Sequence, residues 1–447
     1  MSETELLILG AGPAGMARAF WERRRAPRRQ IHILERSSNP GGWARSLEVN
    51  GHHLELGPQA LRPDDTLLAT LRELGLEKRV VEPSDRASRR FVVRDGRLRA
   101  LPSGPAGLLT TGLMSFRGKL RALREPRVPR LEESTSEESV TEFIQRRFGR
   151  EAARLASAMV HGIFAGDADR LEARSAFPVL AEFEREHGSV LKGMKHKARA
   201  RRESKAERGP ALLTFEGGIQ ALTDRLHKRL GDVVSLGVDP VRISRERDRF
   251  RIDLSSGPHW TTGALVLATP AWAAADLLRP LDEELGHALD EIPFVDVVSA
   301  YVSVPAEKLD SRAEGFGCLF EKGEPGPVLG ILYASSVFPD HAPRGRALYR
   351  VMIGGARDPE ILRWDEDRVE QAAVDALRGY LKLEGPFEVL HIERCARAIP
   401  QYERGHAARL SRIKQRLRER HPGLELCGNS YEHIALPPQL HRLDDPD

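Results

Sequence analysis

Leu6-Leu7-Ile8-Leu9-Gly10-Ala11-Gly12-Pro13-Ala14-Gly15 is an apolar run that breaks into three spaced glycines, and Leu34-Glu35-Arg36 follows about twenty residues later. The pattern predicts a strand, a tight turn and a helix, with an acid at the end of a second strand. Each glycine has its own physical task. Gly10 allows the tight turn, Gly12 lets the backbone approach a pyrophosphate, and Gly15 permits close helix–sheet packing. The helix then presents unpaired N–H groups and a partial positive charge to phosphates. Glu35 ends the strand pattern Gln30-Ile31-His32-Ile33-Leu34 and can accept hydrogen bonds from ribose hydroxyls. Three glycines alone are a weak signal, and a glycine-rich structural turn is the plain alternative. With strand, helix and acid at the right spacing, the stretch reads as a dinucleotide-binding unit.

The next segments select among dinucleotides. Asn39-Pro40-Gly41-Gly42-Trp43-Ala44-Arg45-Ser46 and Leu54-Glu55-Leu56-Gly57-Pro58-Gln59-Ala60-Leu61-Arg62 lie just past the ribose acid. A simple nicotinamide domain has no need of a second glycine pair there. Flavoproteins of the amine-oxidase superfamily have one, because the chain returns along the extended FAD. Within that superfamily, Gly-Gly-Trp with Glu-Leu-Gly-Pro resembles the protoporphyrinogen oxidase family. Further stretches agree in family order: Arg90-Phe91-Val92, Leu101-Pro102-Ser103-Gly104, Gly162-Ile163-Phe164-Ala165-Gly166-Asp167, Ser175-Ala176-Phe177-Pro178, Phe215-Glu216-Gly217-Gly218 and Ile399-Pro400-Gln401-Tyr402. The resemblance implies an α/β fold: an FAD-binding Rossmann-type domain (p-hydroxybenzoate hydroxylase/amine-oxidase-like), a mixed-sheet substrate domain and a helical insert.

Bulk properties permit this. The 447 residues exceed one ordinary domain, and 40% hydrophobic with 30% charged residues is normal for a globular protein. A net charge of +4 over this length does not suggest nucleic acid. Cys318, Cys395 and Cys427 are scattered and odd in number, which reads as reduced thiols in a cytoplasmic setting. The fifteen histidines show no zinc spacing, so no metal is expected. No leader is expected before the first strand, and no apolar run approaches the ~20 residues that cross a bilayer.

The pattern along the chain is discontinuous. Residues 1–85 alternate strand and helix signals and form the first part of the FAD-binding domain. A first part of the substrate domain follows at 86–104, and a helical insert at 105–210. The FAD-binding domain resumes at 211–292, with the buried strand Gly263-Ala264-Leu265-Val266-Leu267-Ala268-Thr269-Pro270. The substrate domain resumes at 293–392, and the FAD-binding domain closes at 393–447. The helical pattern Val369–Leu377 is expected to lead back to it.

The resemblance also implies roles, position by position. Gly10, Ala11, Gly12, Pro13, Ala14, Gly15, Glu35 and Arg36 would hold FAD phosphates and ribose. Gly42, Trp43, Gly57, Pro58, Gln59 and Ala60 would lie along the flavin, although a lone Trp is usually core. Val241 would pair with adenine through its backbone, and Ala407, Ile434, Ala435 and Leu436 would sit on the flavin side. On the substrate side, Arg90 matches the arginine that pairs with a porphyrinogen propionate, a task suited to a planar guanidinium fork. Arg86 and Arg89 beside it favour the plainer reading of a solvated basic run. Leu319 and Phe338 match apolar positions that sandwich a tetrapyrrole, and Gly166 a tight wall opposite it.

The implied chemistry is oxidation of a porphyrinogen, with FAD taking hydride equivalents at N5 and molecular oxygen reoxidising it. No side chain need act as a catalytic acid or base. Protoporphyrinogen is the leading substrate and coproporphyrinogen the alternative. The resemblance further implies peripheral membrane contact by the helical insert, supported by Leu108-Leu109, Leu113-Met114, Arg117, Lys119, Arg121 and the basic run Lys192–Lys205, and it is compatible with a homodimer. One departure stands out. Gly428-Asn429-Ser430-Tyr431-Glu432-His433-Ile434-Ala435-Leu436 has His433 where the family has glycine, and Pro437-Pro438 where a long helix is expected. Loss of that helix would remove N–H donors near the flavin, so a non-catalytic family member with impaired FAD binding is a second reading.

Overall fold

The computed structural model describes residues 2–102, 107, 111–131, 137–203, 210–309 and 311–441. Ser103, Gly104, Leu108, Leu109, Ser204, Lys205 and the tail beyond 441 lie outside them.

The strand Ser2–Leu9 is central to the first sheet. Its apolar run is buried on both faces, as the interior strand of a parallel sheet must be. Leu6 and Ile8 join one core cluster, Leu7 and Leu9 the other. Ile31–Glu35 pairs parallel on one side and Trp260–Leu267 on the other. The sheet runs in the order Pro240–Glu246, Arg249–Leu254, Trp260–Leu267, Ser2–Leu9, Ile31–Glu35, Val234–Leu236, with Leu424–Leu426 also parallel to Trp260–Leu267. Three distant stretches of sequence thus build one sheet, with strand order reversing across Ser2–Leu9. That reversal leaves a crevice at the carboxyl ends of the strands.

The second sheet is mixed. Its order is Glu388–Pro400, Phe294–Pro305, Arg346–Gly354, Val328–Leu332, Gly317–Phe320, Arg90–Arg94, Arg97–Ala100. Only the pairing of Gly317–Phe320 with Arg90–Arg94 is parallel. The strand Glu388–Pro400 runs straight through the boundary expected at residue 392, because it pairs with Phe294–Pro305 as far as Pro400. Helix Glu366–Leu381 begins at an Asp365 cap and buries Val369, Ala373 and Leu377 with Val298, Val351 and Ile353. It packs on this second sheet before the chain returns to the first.

The helical insert is held by buried charge as well as by apolar packing. Helix Val140–Phe148 starts in a capping box of Ser139 and Glu142, and its Arg147 has no exposed side-chain surface. Arg147 pairs with Glu125 and Glu184 and donates to the carbonyls of Val128 (3.0 Å) and Gly188 (3.1 Å). Among the described residues no helix is long and apolar enough to cross a membrane.

Leu113 and Met114 are core rather than surface, Leu113 packing with Val92 and Ala158. The exposed apolar face belongs to helix Phe116–Leu123 instead. There Phe116, Leu120 and Leu123 share one side by their spacing, and all three are exposed. The basic helix Val190–Glu203 packs against Pro178–His187, and a Cβ at Gly193 would come within 2.4 Å of the Phe183 ring.

Candidate functional site

At the crevice, the turns after three strands meet around a cleft of about 680 Å³. The first turn supplies Gly10, Gly12, Pro13 and Ala14, the second Glu35 to Ser37, and the third Ala268 to Pro270. Gly10 has φ +105°, and a Cβ there would lie 2.8 Å from the Ala268 carbonyl oxygen. A Cβ at Gly15 would lie 2.1 Å from the Gly10 carbonyl oxygen, so only glycine lets helix Pro13–Arg25 sit this close. Gly12 differs: nothing lies within 4 Å of where its Cβ would stand, and the residue lines the cleft. The helix has no side-chain cap, and Pro13 removes one donor, so the N–H groups of its first turn are left for a ligand.

Glu35 is held at the rim. Its carboxylate accepts from the backbone N–H of Ala11 and of Ser37, both at 2.7 Å, and each oxygen keeps a further lone pair for a hydroxyl. Ala11 is thus a buried brace behind the turn. Arg36 and Val241 line the cleft at the same end.

Along the cleft, Gly42, Trp43 and Pro58 form a wall. Trp43 is 39% exposed, so it is not a core tryptophan. A Cβ at Gly57 would come within 1.8 Å of the Trp43 carbonyl oxygen, which shows how closely the two glycine-bearing segments touch. Arg350 fixes this wall from behind. Its guanidinium donates to the carbonyls of Glu55 (3.0 Å), Leu56 (3.3 Å) and Gly57 (2.6 Å). Gln59 and Ala60 do not line the cleft. Gln59 is buried 3.3 Å from the His341 ring, and Ala60 packs with Phe316 and Phe338.

Ile434, Leu436 and Gln439 close the far side. The chain there makes a single 3-10 turn, Pro437–Leu440, whose Leu440 carbonyl accepts from Trp21 Nε1 at 3.0 Å. Ala435 lies outside the cleft, and its carbonyl accepts from Gln439 Nε2. Ala407 is also outside. It begins helix His406–Arg420, and its N–H donates to Glu172 at 3.0 Å.

Sequence reasoning missed the segment Ala268–Ala273 as a site. Thr269 and Trp272 line the cleft, and Thr269 Oγ1 and Trp272 Nε1 are buried without a protein partner. A buried polar atom left unpaired is costly. Free helix-end donors and a ribose-type carboxylate along one cleft fit a long ligand with polar groups along its length. FAD meets each of these demands. The available signal was Thr269-Pro270 at the carboxyl end of a strand adjacent to the first.

Beyond Ala60 the second sheet begins. Arg86 and Arg89 both pair with Glu314, at 3.2 and 3.9 Å, whereas Arg90 has no ion pair with any described residue. Its guanidinium lies 5.0 Å from the centre of the Phe316 ring. Burial, and then the nearby Arg62, lower its affinity for its proton. The resemblance singled out Arg90, and among the described residues it is the one of the three without an ion pair. Phe338 packs with Phe316 and Ala60 just beneath. Leu319 sits further along, two residues beyond Gly317, which is directly opposite Arg90, and packs with Val92 and against Gly162. Gly166 faces Gln401, whose Oε1 would be 2.1 Å from a Cβ there. The three thiols are unpaired.

This architecture is shared. The sequence model for flavin containing amine oxidoreductases matches residues 24–435. The chain is 31% identical to chloroplastic protoporphyrinogen oxidase of Nicotiana tabacum, over 97% of this chain and 83% of that protein. It is 32% identical to protoporphyrinogen oxidase of Homo sapiens, covering 96% and 95%. It is 25% identical to coproporphyrinogen III oxidase of Bacillus subtilis, covering 97% and 94%. Among solved structures, an Exiguobacterium protein described as a protoporphyrinogen oxidase superimposes with a TM-score of 0.80 at 23% identity, covering 98% and 97%. Reduced UDP-galactopyranose mutase gives 0.72 at 15% identity, covering 98% and 93%. With FAD as the cofactor of its dinucleotide cleft, the chain belongs to the flavin-containing amine oxidoreductase family and groups within it with the protoporphyrinogen oxidases.

Proposed function

We propose that the protein oxidises a porphyrinogen to the corresponding porphyrin, protoporphyrinogen IX ahead of coproporphyrinogen III, with molecular oxygen as final acceptor. What supports this is an arginine with no ion pair among the described residues, beside the Phe316 ring, at the position that the resemblance gives to the propionate contact. When bound, FAD supplies the hydride acceptor. The chain's own residues orient and exclude. Helix Pro13–Arg25 and Glu35 would anchor the dinucleotide, while the Trp43–Pro58 wall, held by Arg350, would fix the flavin's position. Arg90 would hold a propionate, and Phe338 and Leu319 would offer apolar contact to the macrocycle. The greater identity to protoporphyrinogen oxidases supports the order of the two substrates.

The cleft also bears on the second reading. Its phosphate, ribose and wall elements are all present, which favours a flavin-binding protein over one that has lost its cofactor. The exposed Phe116, Leu120 and Leu123 on a helix that also carries Arg117 and Lys119 support a peripheral membrane contact. The test is direct. Purified protein with a flavin spectrum should turn non-fluorescent porphyrinogen into fluorescent porphyrin while consuming oxygen. Colourless protein that takes up no added FAD, or yellow protein inert toward both porphyrinogens, would overturn the proposal. Comparing kcat/KM for the two substrates decides their order.

Arg90→Ala should raise KM for the porphyrinogen roughly tenfold while leaving the flavin spectrum intact. A charge-assisted pair contributes about 1.5–3 kcal/mol when dry, and the exposure of Arg90 places its loss near the lower end. Steady-state kinetics with unchanged KM would remove Arg90 from the substrate site.

A further inference from the structure

Strand His52–Glu55 lies just before the flavin wall, and its side chains alternate. His52 turns to Ser303, its Nε2 lying 2.8 Å from the hydroxyl. His53 and Glu55 leave the opposite face together. There they meet His341, the last residue of the turn Pro339–His341 in the second-sheet half of the molecule. A ring nitrogen of each histidine and a carboxylate oxygen of Glu55 lie within 4.8 Å of one another. His53 Nε2 stands 3.2 Å from Glu55 Oε1.

Three features set this cluster apart from an ordinary surface group. Glu55 is 1% and His341 5% exposed; the Glu55 carboxylate accepts from the Ser46 hydroxyl at 2.8 Å and the Ile219 N–H at 3.0 Å, and among the described residues no lysine or arginine pairs with it. A buried carboxylate without a cation calls for charge compensation. The side-chain amide of Gln59 lies 3.3 Å from His341 Nδ1 and holds the ring in place. Finally, Gly218 has φ +77°, and a Cβ there would come within 2.2 Å of His53 Nε2 and 2.5 Å of Glu55 Oε1. A glycine at that position leaves the donors clear.

We propose that His53, Glu55 and His341 bind one borderline divalent cation of the zinc type. Two imidazoles and a carboxylate are a donor set that such ions accept with a position to spare, and softer or harder ions suit it less well. The bound ion joins the strand that leads into Gly57-Pro58 to the turn of the other sheet, so it acts as a clamp between the two halves. The site is separate from the substrate reading and stands whether or not the protein oxidises porphyrinogens.

Untagged holoprotein, dialysed against a chelator and titrated with ZnCl₂ by calorimetry, should take up one tight equivalent and gain in Tm. H53Q and H341Q should each weaken that uptake more than tenfold and lose the Tm gain, with the flavin spectrum reporting that each variant is folded. X-ray absorption at the zinc edge of the wild-type complex gives a second readout that needs no variant. It should show nitrogen and oxygen ligands with imidazole scattering. Absence of a stoichiometric equivalent, undiminished uptake in both variants, or sulfur ligation from a cysteine would each overturn the proposal.

Discussion

Gly12→Val should give a folded protein that elutes without colour. The substitution is tolerated by the fold, because Gly12 has extended backbone (φ −73°, ψ 176°) and nothing lies within 4 Å of its Cβ position. That empty space belongs to the cleft, where a pyrophosphate must approach the backbone to reach the N–H groups of helix Pro13–Arg25. A branched side chain there blocks two or three charge-assisted hydrogen bonds at once. At about 1.5–3 kcal/mol each, their loss should weaken FAD affinity by roughly 10³-fold or more. The checks are the flavin absorption per mole of purified protein and the far-ultraviolet circular dichroism. Gly15→Val provides the contrast. Its Cβ would strike the Gly10 carbonyl at 2.1 Å, so this variant should fail in folding rather than in binding. A yellow Gly12→Val protein with a full equivalent of FAD would refute the assignment of the cleft.

Arg147→Met should cost about 3–5 kcal/mol of stability, the loss expected when one member of a buried ion pair is removed. Neither Arg147 nor Glu125 has exposed side-chain surface. Burial pushes the Glu125 carboxyl up, but hydrogen bonds from Ser189, the Val190 N–H and Arg147 outweigh it and hold it below the usual carboxylate range. Without Arg147 that carboxylate keeps its desolvation cost and loses its countercharge, and the carbonyls of Val128 and Gly188 lose a donor. The double variant Glu125→Gln/Arg147→Met should recover part of the loss, because it removes the orphaned charge. Chemical denaturation of the wild type and the two variants measures this. Wild-type stability in the single variant would mean that the insert does not depend on the pair. The flavin cleft is built from other elements, so the spectrum of the folded single variant should be unchanged.

Much of the cofactor site could be read from the chain because its determinants are local. The turn at Gly10, the open approach at Gly12 and the close packing at Gly15 depend on spacings within one strand, turn and helix. Glu35 follows within one more strand. Gly42, Trp43 and Pro58 were legible by resemblance, and they do line the cleft. Ala407 was less so: the same reading put it by the flavin, whereas its helix turns its N–H to Glu172. The strand Glu388–Pro400 escaped its expected boundary for a related reason, since pairing with Phe294–Pro305 carries it on.

What the chain by itself determined is therefore the dinucleotide unit, the family resemblance and, through that resemblance, an FAD-binding domain, a mixed-sheet substrate domain and a helical insert. Local spacing encodes the first of these, and the short motifs that carry the resemblance need no distant partner to be recognised. Tertiary structure alone decided which arginine of Arg86, Arg89 and Arg90 is free, because Glu314 reaches the first two from another segment. It decided that Leu113 and Met114 are core, and that Thr269 and Trp272 line the cleft. It also brought His341 to His53 and Glu55, a grouping that histidine spacing does not reveal. The physical reason is common to all of these. Whether a polar group is paired, buried or free depends on residues distant in sequence, and their positions are fixed only when the two sheets pack.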